Sequence, residues 1–358
     1  MTNKALLFLI FIFYNCSTSE QRTLQQDIKL LSKPPESFTF KSNDLHVLVT
    51  SRGTKLIIQP KSLVFEYDGG VPTDSIRVQI TEVFSKSEMI LNNVTTASQG
   101  KPIESFGMIN IIASSGNRNL ELANNNQIKV VLPRNKSPFV DEGELFYGSV
   151  ENDAIEWNFS PLINIRETIK QFGNGQEEVL IEYFRISATG HQAEIADSTN
   201  LVTRNGPVSH EIAISYDTTA GEFLESNPQF DSSSDKYIGF PALMINKLGW
   251  INCDRFLEFP EIERIRFVVE LDKFEQPQGY LVFDELNSIL PILFDEGGTA
   301  LVEGIPKGVK TKVLVIDKIK SEYQFSKSDF LTKDTELFVK MRSIPLKELE
   351  NELKSLDN

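Results

Sequence analysis

The chain has 358 residues, of which 40% are hydrophobic and 24% are charged, and its formal net charge is −14. The length and composition are ordinary for a globular protein with two or three domains, each large enough for its own hydrophobic core. Such an acidic chain without a basic stripe repels phosphate backbones, which argues against nucleic acid as a partner.

The first sixteen residues have the layout of an export signal. Lys4 precedes ten apolar residues, Ala5 to Tyr14, and the chain becomes polar directly after Cys16. A helix needs about twenty apolar residues to cross a bilayer, so this run is too short to be a membrane span. The layout resembles that of a bacterial lipoprotein signal peptide. The resemblance implies that residues 1–16 contain the signal, that Cys16 is lipidated, and that the protein is an outer-membrane lipoprotein on the periplasmic or cell-surface side.

The segment after the lipidation site reads as a tether. Residues 17–36 are mostly polar, lack strong periodicity and end near the rigid Pro34-Pro35 pair. Such a segment would span roughly 60 Å when extended, enough to hold a folded domain away from the lipid headgroups. If Cys16 is acylated, Cys253 is the remaining thiol, so a disulfide framework and a zinc site of paired cysteines are both excluded.

Residues 37–136 show the period-two alternation of half-buried β-strands. It is clearest where Ile76, Val78 and Ile80 alternate with polar residues, and shorter runs occur at residues 45–49, 54–59, 108–113 and 128–132. Short strands separated by turn residues predict an antiparallel β-sandwich rather than alternating βα units.

Two strings in this region resemble the β-sandwich module shared by ankyrins and netrin receptors. The string Arg52 to Pro60, followed by Ser62 to Phe65, is similar to that module's glycine-leucine strand and the proline turn after it. Val78-Gln79-Ile80 is similar to its later valine-x-isoleucine strand. The resemblance implies a protein-contact module without catalytic residues.

Residues 137–258 are expected to form a middle β-rich domain. Strand-like runs occur at residues 144–148 and 179–186, whereas Asp231 to Asp235 reads as a loop. Calcium binding by that loop is an alternative, although an acidic loop is usually only solvated. The string Gly249 to Phe256 resembles one found in a group of Bacteroidetes surface lipoproteins with no assigned chemistry. Trp250 and Cys253 within it are expected to be mainly buried.

Residues 259–358 are expected to form a third unit, a transthyretin-like or immunoglobulin-like sandwich with a C-terminal helix. Alternation is strong from Ile265 to Leu271. After Pro345, leucines recur at helical spacing and predict a short amphipathic helix docked on this sandwich, with a dimerising helix as the alternative: Leu346, Leu349, Leu353 and Leu356. The predicted fold class is therefore mainly β, with tandem antiparallel sandwiches and one short C-terminal helix.

The sequence offers little for catalysis or cofactor binding. His46, His191 and His210 lie in separate segments, there is no Gly-x-Ser-x-Gly elbow, and Cys253 has large apolar neighbours. We therefore expect no catalytic, cofactor-binding or metal site and no cofactor. The favoured function is a non-enzymatic, membrane-anchored lipoprotein that acts as a structural or protein-interaction module in the cell envelope. The alternative is an envelope hydrolase or a glycan-capturing lipoprotein in nutrient uptake.

Overall fold

A computed structural model describes residues 22–133, 143–151, 154–160, 164–171, 177–186, 193–196, 202–204, 236–257, 264–333 and 335–357. The fold is mainly β, as expected. The helices are α1 (Leu24–Lys29), α2 (Lys86–Leu91) and α3 (Leu346–Lys354), and a 3-10 turn, Ser355–Asp357, follows α3.

The strands of the first half of the chain are β1 (Glu36–Phe40), β2 (His46–Val49), β3 (Lys55–Ile58), β4 (Leu63–Phe65), β5 (Ile76–Val83), β6 (Ala97–Ser98), β7 (Lys101–Ser115), β8 (Arg118–Leu122), β9 (Ile128–Val131), β10 (Glu144–Glu151), β11 (Ala154–Ser160), β12 (Asn164–Gln171) and β13 (Glu177–Ile186). Those of the second half are β14 (Ala193–Ala196), β15 (Val202–Arg204), β16 (Lys236–Ile245), β17 (Gly249–Phe256), β18 (Arg264–Leu271), β19 (Gln278–Phe283), β20 (Ile289–Ile292), β21 (Thr299–Pro306), β22 (Lys310–Ile319), β23 (Glu322–Leu331), β24 (Thr335–Val339) and β25 (Arg342–Ile344).

Two sheets combine strands from both sides of the expected boundary at residues 136–137. The first sheet has the order β1-β5-β7-β17-β10-β11, with β4, β6 and β8 paired beside it. The second has the order β14-β13-β12-β16-β9-β3-β2, with β15 paired to β13. Because β7 pairs with β17 and β9 with β16, the segments on either side of that boundary share both sheets.

The C-terminal segment contains two further sheets. The third sheet has the order β21-β18-β24, in which β18 and β24 are parallel, and the fourth has the order β20-β19-β22-β23-β25. Alternate residues of β18, including Ile265, Phe267 and Val269, pack against residues of the fourth sheet such as Phe283 and Val315. The period-two pattern of Ile265 to Leu271 therefore reports one buried face, as predicted.

Among the described residues, buried side chains form three clusters. The first core lies between the first and second sheets, and the C-terminal core lies between the third and fourth. The junction core joins α1, α2 and the outer face of the first sheet to the fourth sheet and α3. It contains Trp157, Tyr280 and Phe325.

The expected tether is folded from residue 22 onwards, so that part of the prediction for residues 17–36 was wrong. Leu24 and Ile28, one turn apart on α1, are buried in the junction core. Thr23 begins the helix with a capping box, in which its side chain and that of Gln26 each accept from the other residue's backbone N–H. Leu24, Ile28 and the Thr23 capping box are the sequence features that indicate a docked helix within this otherwise polar segment.

The C-terminal helix docks as predicted. Leu349 and Leu353 are completely buried, Leu356 is buried, and Leu346 is partly buried at the margin of the junction core. The helix contacts β23 and α2. Asp357, just after it, accepts from the backbone N–H of Ser87 at 2.9 Å and thereby caps α2.

Candidate functional site: a buried polar network beside the junction core

Strand β17 lies at the centre of the first sheet and separates two cores. Its residues alternate, so that Ile251 and Cys253 pack in the first core while Trp250 and Phe256 pack against the junction core. Asn252 and Asp254 share the face of Trp250 and Phe256, and both are completely buried. The strand thus places an amide and a carboxyl group inside the molecule.

A β-bulge in the neighbouring strand β7 shapes this site. Cys253 lies opposite Gly107 and Asp254 lies opposite Ser105, so Phe106 is the extra residue. Gly107 has φ +154°, and a Cβ there would lie 2.8 Å from the Phe84 ring. The bulge therefore needs glycine at this position, and it leaves Ser105 facing the polar groups of β17.

Hydrogen bonds connect the buried polar groups across the two strands. Ser105 Oγ donates to Asn252 Oδ1 at 3.0 Å and accepts from the Gly107 N–H at 3.2 Å. Asn252 Nδ2 donates to Asp254 Oδ2. Asp254 Oδ1 is buried without a hydrogen-bond partner, so the network is not fully satisfied.

Burial dominates the electrostatics of Asp254. Removal from water, together with the nearby negative charge of Glu104, raises the pKa of its carboxyl group well above the usual value. The hydrogen bond from Asn252 opposes this shift but does not overcome it. Glu104 itself pairs with Arg255 at 2.8 Å, at the margin of the network. A carboxyl group in these surroundings is favoured in its neutral form.

Cys253 is 1% exposed, which confirms the prediction of a buried thiol. Burial raises its pKa, and the negative charge of Glu144 adds to the effect. The thiolate is the reactive form of cysteine, so these surroundings suppress nucleophilic chemistry. Trp250, also expected to be mainly buried, is only partly buried, and its ring lies edge-on to Trp157 with 6.4 Å between centroids.

The network continues into the loop before β20. The Ser105 N–H donates to the Asn287 carbonyl at 3.0 Å, and Asn287 Nδ2 donates to the Ser105 carbonyl at 2.9 Å. Two hydrogen bonds connect Thr96 with Ile289. The Thr96 N–H donates to the Ile289 carbonyl at 2.8 Å, and the Ile289 N–H donates to Thr96 Oγ1 at 2.7 Å. These bonds attach the first sheet to the C-terminal sandwich. We call this contact, formed by Ser105, Asn287, Thr96 and Ile289, the joint. The polar groups around β17 lie directly beside it.

The other residues considered for chemistry are not brought together here. His46 is on β2, where its Nε2 lies 2.8 Å from the Lys41 carbonyl and its ring contacts Phe40. Cys16, His191, His210 and the Asp231–Asp235 loop lie outside the described residues. Across the ranges described above, no group of three or more His, Cys, Asp or Glu side chains is placed to hold a metal ion, and no helix is long and apolar enough to cross a membrane.

Sequence reasoning identified the Gly249 to Phe256 string but missed its polar half. Asn252 and Asp254 alternate with Ile251 and Cys253, a pattern that normally indicates one solvated face. The large apolar residues on the polar side, Trp250 and Phe256, were the available signal that this face is also covered.

Comparisons with known proteins do not identify a family. No family model and no curated protein matches the chain. Among solved structures, the chain is similar to the Bacillus anthracis TIE protein, with 12% sequence identity and a TM-score of 0.18. That match covers 75% of this chain and 41% of the Bacillus anthracis protein.

Proposed function

We propose that the protein is a non-enzymatic lipoprotein, anchored in the outer membrane through Cys16, that serves the cell envelope as a structural or protein-interaction module. The export-signal layout of residues 1–16 supports the anchor. The observation that carries the non-enzymatic part is the closed environment of Cys253 and Asp254, the reactive groups of the central strand. Both lie inside packed cores, and both have a raised pKa.

The rest of the architecture favours a scaffold over a catalyst. An enzyme site needs titratable groups that a substrate can reach, usually in a concave pocket with convergent polar side chains. The side chains of Asn252, Asp254 and Ser105 instead form hydrogen bonds with one another. The joint formed by Ser105, Asn287 and Thr96 holds the sandwiches in a fixed arrangement, which suits a protein that presents a surface to a partner.

Cell fractionation of the Cys16→Ser variant tests the anchor. We expect the wild-type protein to sediment with membranes and to resist salt extraction, and the variant to be released into the soluble fraction. A Cys16→Ser protein that still sediments and resists salt would show that the anchor lies elsewhere. The Cys253→Ser variant is the matched control, because it removes the other thiol and should leave the protein in the membrane fraction.

Affinity capture tests the interaction role. The wild-type protein, solubilised in mild detergent from cross-linked cells, should bring down a defined envelope protein. The unanchored Cys16→Ser variant should recover less of it from the same number of cells. Equal recovery of the same proteins by an unrelated lipoprotein bait would refute a specific interaction.

A further inference from the structure

Helix α1 begins eight residues after the proposed anchor, Cys16. Five residues, 17–21, separate Cys16 from Arg22, the first residue that the structure describes. Six residue steps span at most about 20 Å even when fully extended. A tether that extended to residue 36 would have allowed roughly three times that distance. The short connection therefore restricts which part of the protein can face the bilayer.

The position of α1 is fixed by the C-terminal sandwich. Asp27 accepts from Lys318 Nζ at 2.6 Å and from the Tyr323 hydroxyl at 2.9 Å. Lys318 Nζ also donates to the Arg22 carbonyl at 2.7 Å, and Gln278 Nε2 donates to Gln25 Oε1 at 2.9 Å. With Leu24 and Ile28 buried beneath it, the helix is docked along its whole length. Helix α1 is thus fixed to the body of the protein.

The outer face of α1 is basic and partly apolar. Its side chains and those just after it are exposed: Arg22, Gln26, Lys29, Leu30 and Lys33. Leu30 is 65% exposed. Residues 22–35 contain three basic side chains and one acid, and that acid, Asp27, is buried and paired with Lys318. This local positive charge contrasts with the net charge of −14 for the chain.

Neighbouring side chains keep this face basic. Lys29 Nζ donates to Asn92 Oδ1 at 2.7 Å, an uncharged partner. Lys33 and Arg52 both pair with Glu88, at 3.3 Å and 2.8 Å, so two cations share one carboxylate. A surface of this composition favours contact with anionic lipid headgroups, and an exposed leucine beside lysines suits the boundary between headgroups and acyl chains.

We propose that the outer face of α1, formed by Arg22, Gln26, Lys29, Leu30 and Lys33, is the surface that lies against the bilayer in which Cys16 is anchored. This inference rests on the proposed lipid anchor. The proposed contact gives the protein a defined orientation. The α1 end faces the membrane, whereas the loop after β4, which contains Tyr67, and the turn between β7 and β8 lie at the opposite end. Any partner would then meet the distal surfaces.

Depth-dependent fluorescence quenching tests this orientation. The lipidated full-length protein is reconstituted in vesicles of phosphatidylethanolamine with a minor share of phosphatidylglycerol, some carrying a headgroup spin label as quencher. A fluorophore is attached at position 30 in the Leu30→Cys variant or at position 67 in the Tyr67→Cys variant. Cys253 is buried and Cys16 is acylated, so the introduced thiol is the one that takes the label in the native protein.

Tyr67 is a matched control because it is an exposed apolar residue at the other end of the first sheet. It is 97% exposed, and the Asp68–Arg118 ion pair, at 2.6 Å, holds its loop beside β8. Strand β5 runs from this end, at Ile76, to the α2 end, at Val83, a length of about 23 Å.

The proposal predicts several-fold stronger quenching at position 30 than at position 67. It also predicts that Arg22→Glu with Lys33→Glu reduces quenching at position 30. The same change of charge at the far end of β22, Lys307→Glu with Lys310→Glu, should leave quenching at position 30 unchanged. Equal quenching at both positions, or stronger quenching at position 67, in vesicle-bound protein would overturn the orientation and leave the anchor intact. Failure of the protein to float with the vesicles would overturn the anchor and the orientation together.

Discussion

The Asp27 carboxylate lies 2.6 Å from the Lys318 ammonium group, although 291 residues separate them in the sequence. This pair joins α1 to strand β22, so the N-terminal helix and the C-terminal sandwich belong to one packed unit. Tyr323 completes the contact by donating its hydroxyl to the same Asp27 oxygen. Helix α1 is therefore packed against the C-terminal part of the fold.

Replacing Asp27 with Asn should destabilise the protein, because the partly buried Lys318 would lose its charge partner. We expect a loss of about 1–3 kcal/mol in the free energy of unfolding, measured by urea denaturation. The double variant Asp27→Asn with Lys318→Met should lose less than the sum of the single losses. Glu350→Gln, which removes exposed pairs on α3, is the control and should leave the midpoint unchanged. Additive losses would show that the pair does not couple α1 to β22.

The Asp27 contact should also weaken in acid. Burial opposes ionisation of Asp27, but the hydrogen bonds from Lys318 and Tyr323 and the Lys318 charge outweigh it and lower the pKa of the carboxyl group. A lowered pKa stabilises the folded state above the unfolded-state value, about 3.9, and that stabilisation is lost as the pH falls through the folded-state pKa. The stability difference between wild type and Asp27→Asn should therefore shrink below about pH 4. A difference that grows in acid would contradict this assignment.

Asp254 should show the opposite pH dependence. Its pKa is raised, so the folded protein holds a proton that the unfolded chain releases above about pH 3.9. Wild-type stability should consequently fall with rising pH relative to an Asp254→Asn variant, which has no titrating group there. Urea denaturation at mildly acidic and at mildly alkaline pH measures the change. If the wild-type protein instead becomes more stable relative to the variant as the pH rises, Asp254 is not neutral in the folded protein.

Cys253 should react with a thiol reagent only when the protein unfolds. Its thiol is buried in the first core, and its pKa is raised, so both access and thiolate formation are suppressed. We expect slow labelling of the native protein and complete labelling in denaturant. A Ser321→Cys variant, with the new thiol at the exposed turn between β22 and β23, provides the fast reference. Native labelling of Cys253 at the Ser321→Cys rate would reopen a catalytic role.

The C-terminal helix should contribute through its buried leucines. Leu353 is completely buried in the junction core, so Leu353→Ala should lower the free energy of unfolding by about 2–5 kcal/mol. Leu346→Ala, at a partly buried position, should cost less. Thermal denaturation of both variants measures the difference. Equal and small effects would show that α3 does not dock as described.

The sequence predicted the positions of strands better than it predicted which strands pair with each other. The alternation of Ile76 to Ile80 and of Ile265 to Leu271 indicates one buried face, and both segments are strands. Alternation does not reveal pairing, however, and Ile251 pairs with Ile109 across a long stretch of chain. Period-two reasoning therefore separated residues 37–136 from 137–258, whereas their strands lie in shared sheets.

The polar parts of the site were harder to predict for a physical reason. A polar residue in a strand normally faces water, but Asn252 and Asp254 face a second packed layer that is formed by distant segments. Only the tertiary structure brings Ser105 and Asn287 to them. The same limit hid the docking of α1, because its two buried apolar residues, Leu24 and Ile28, meet the fourth sheet nearly the whole length of the chain away.

Mass spectrometry of the mature N-terminus is the decisive test of the proposed lipid anchor at Cys16. The protein is purified from membranes and digested, and its first peptide is identified. We expect Cys16 to be the first residue and to carry covalently attached acyl chains. An unmodified Cys16, or a peptide that continues through Asn15 and Cys16, would contradict the anchor and the membrane orientation derived from it.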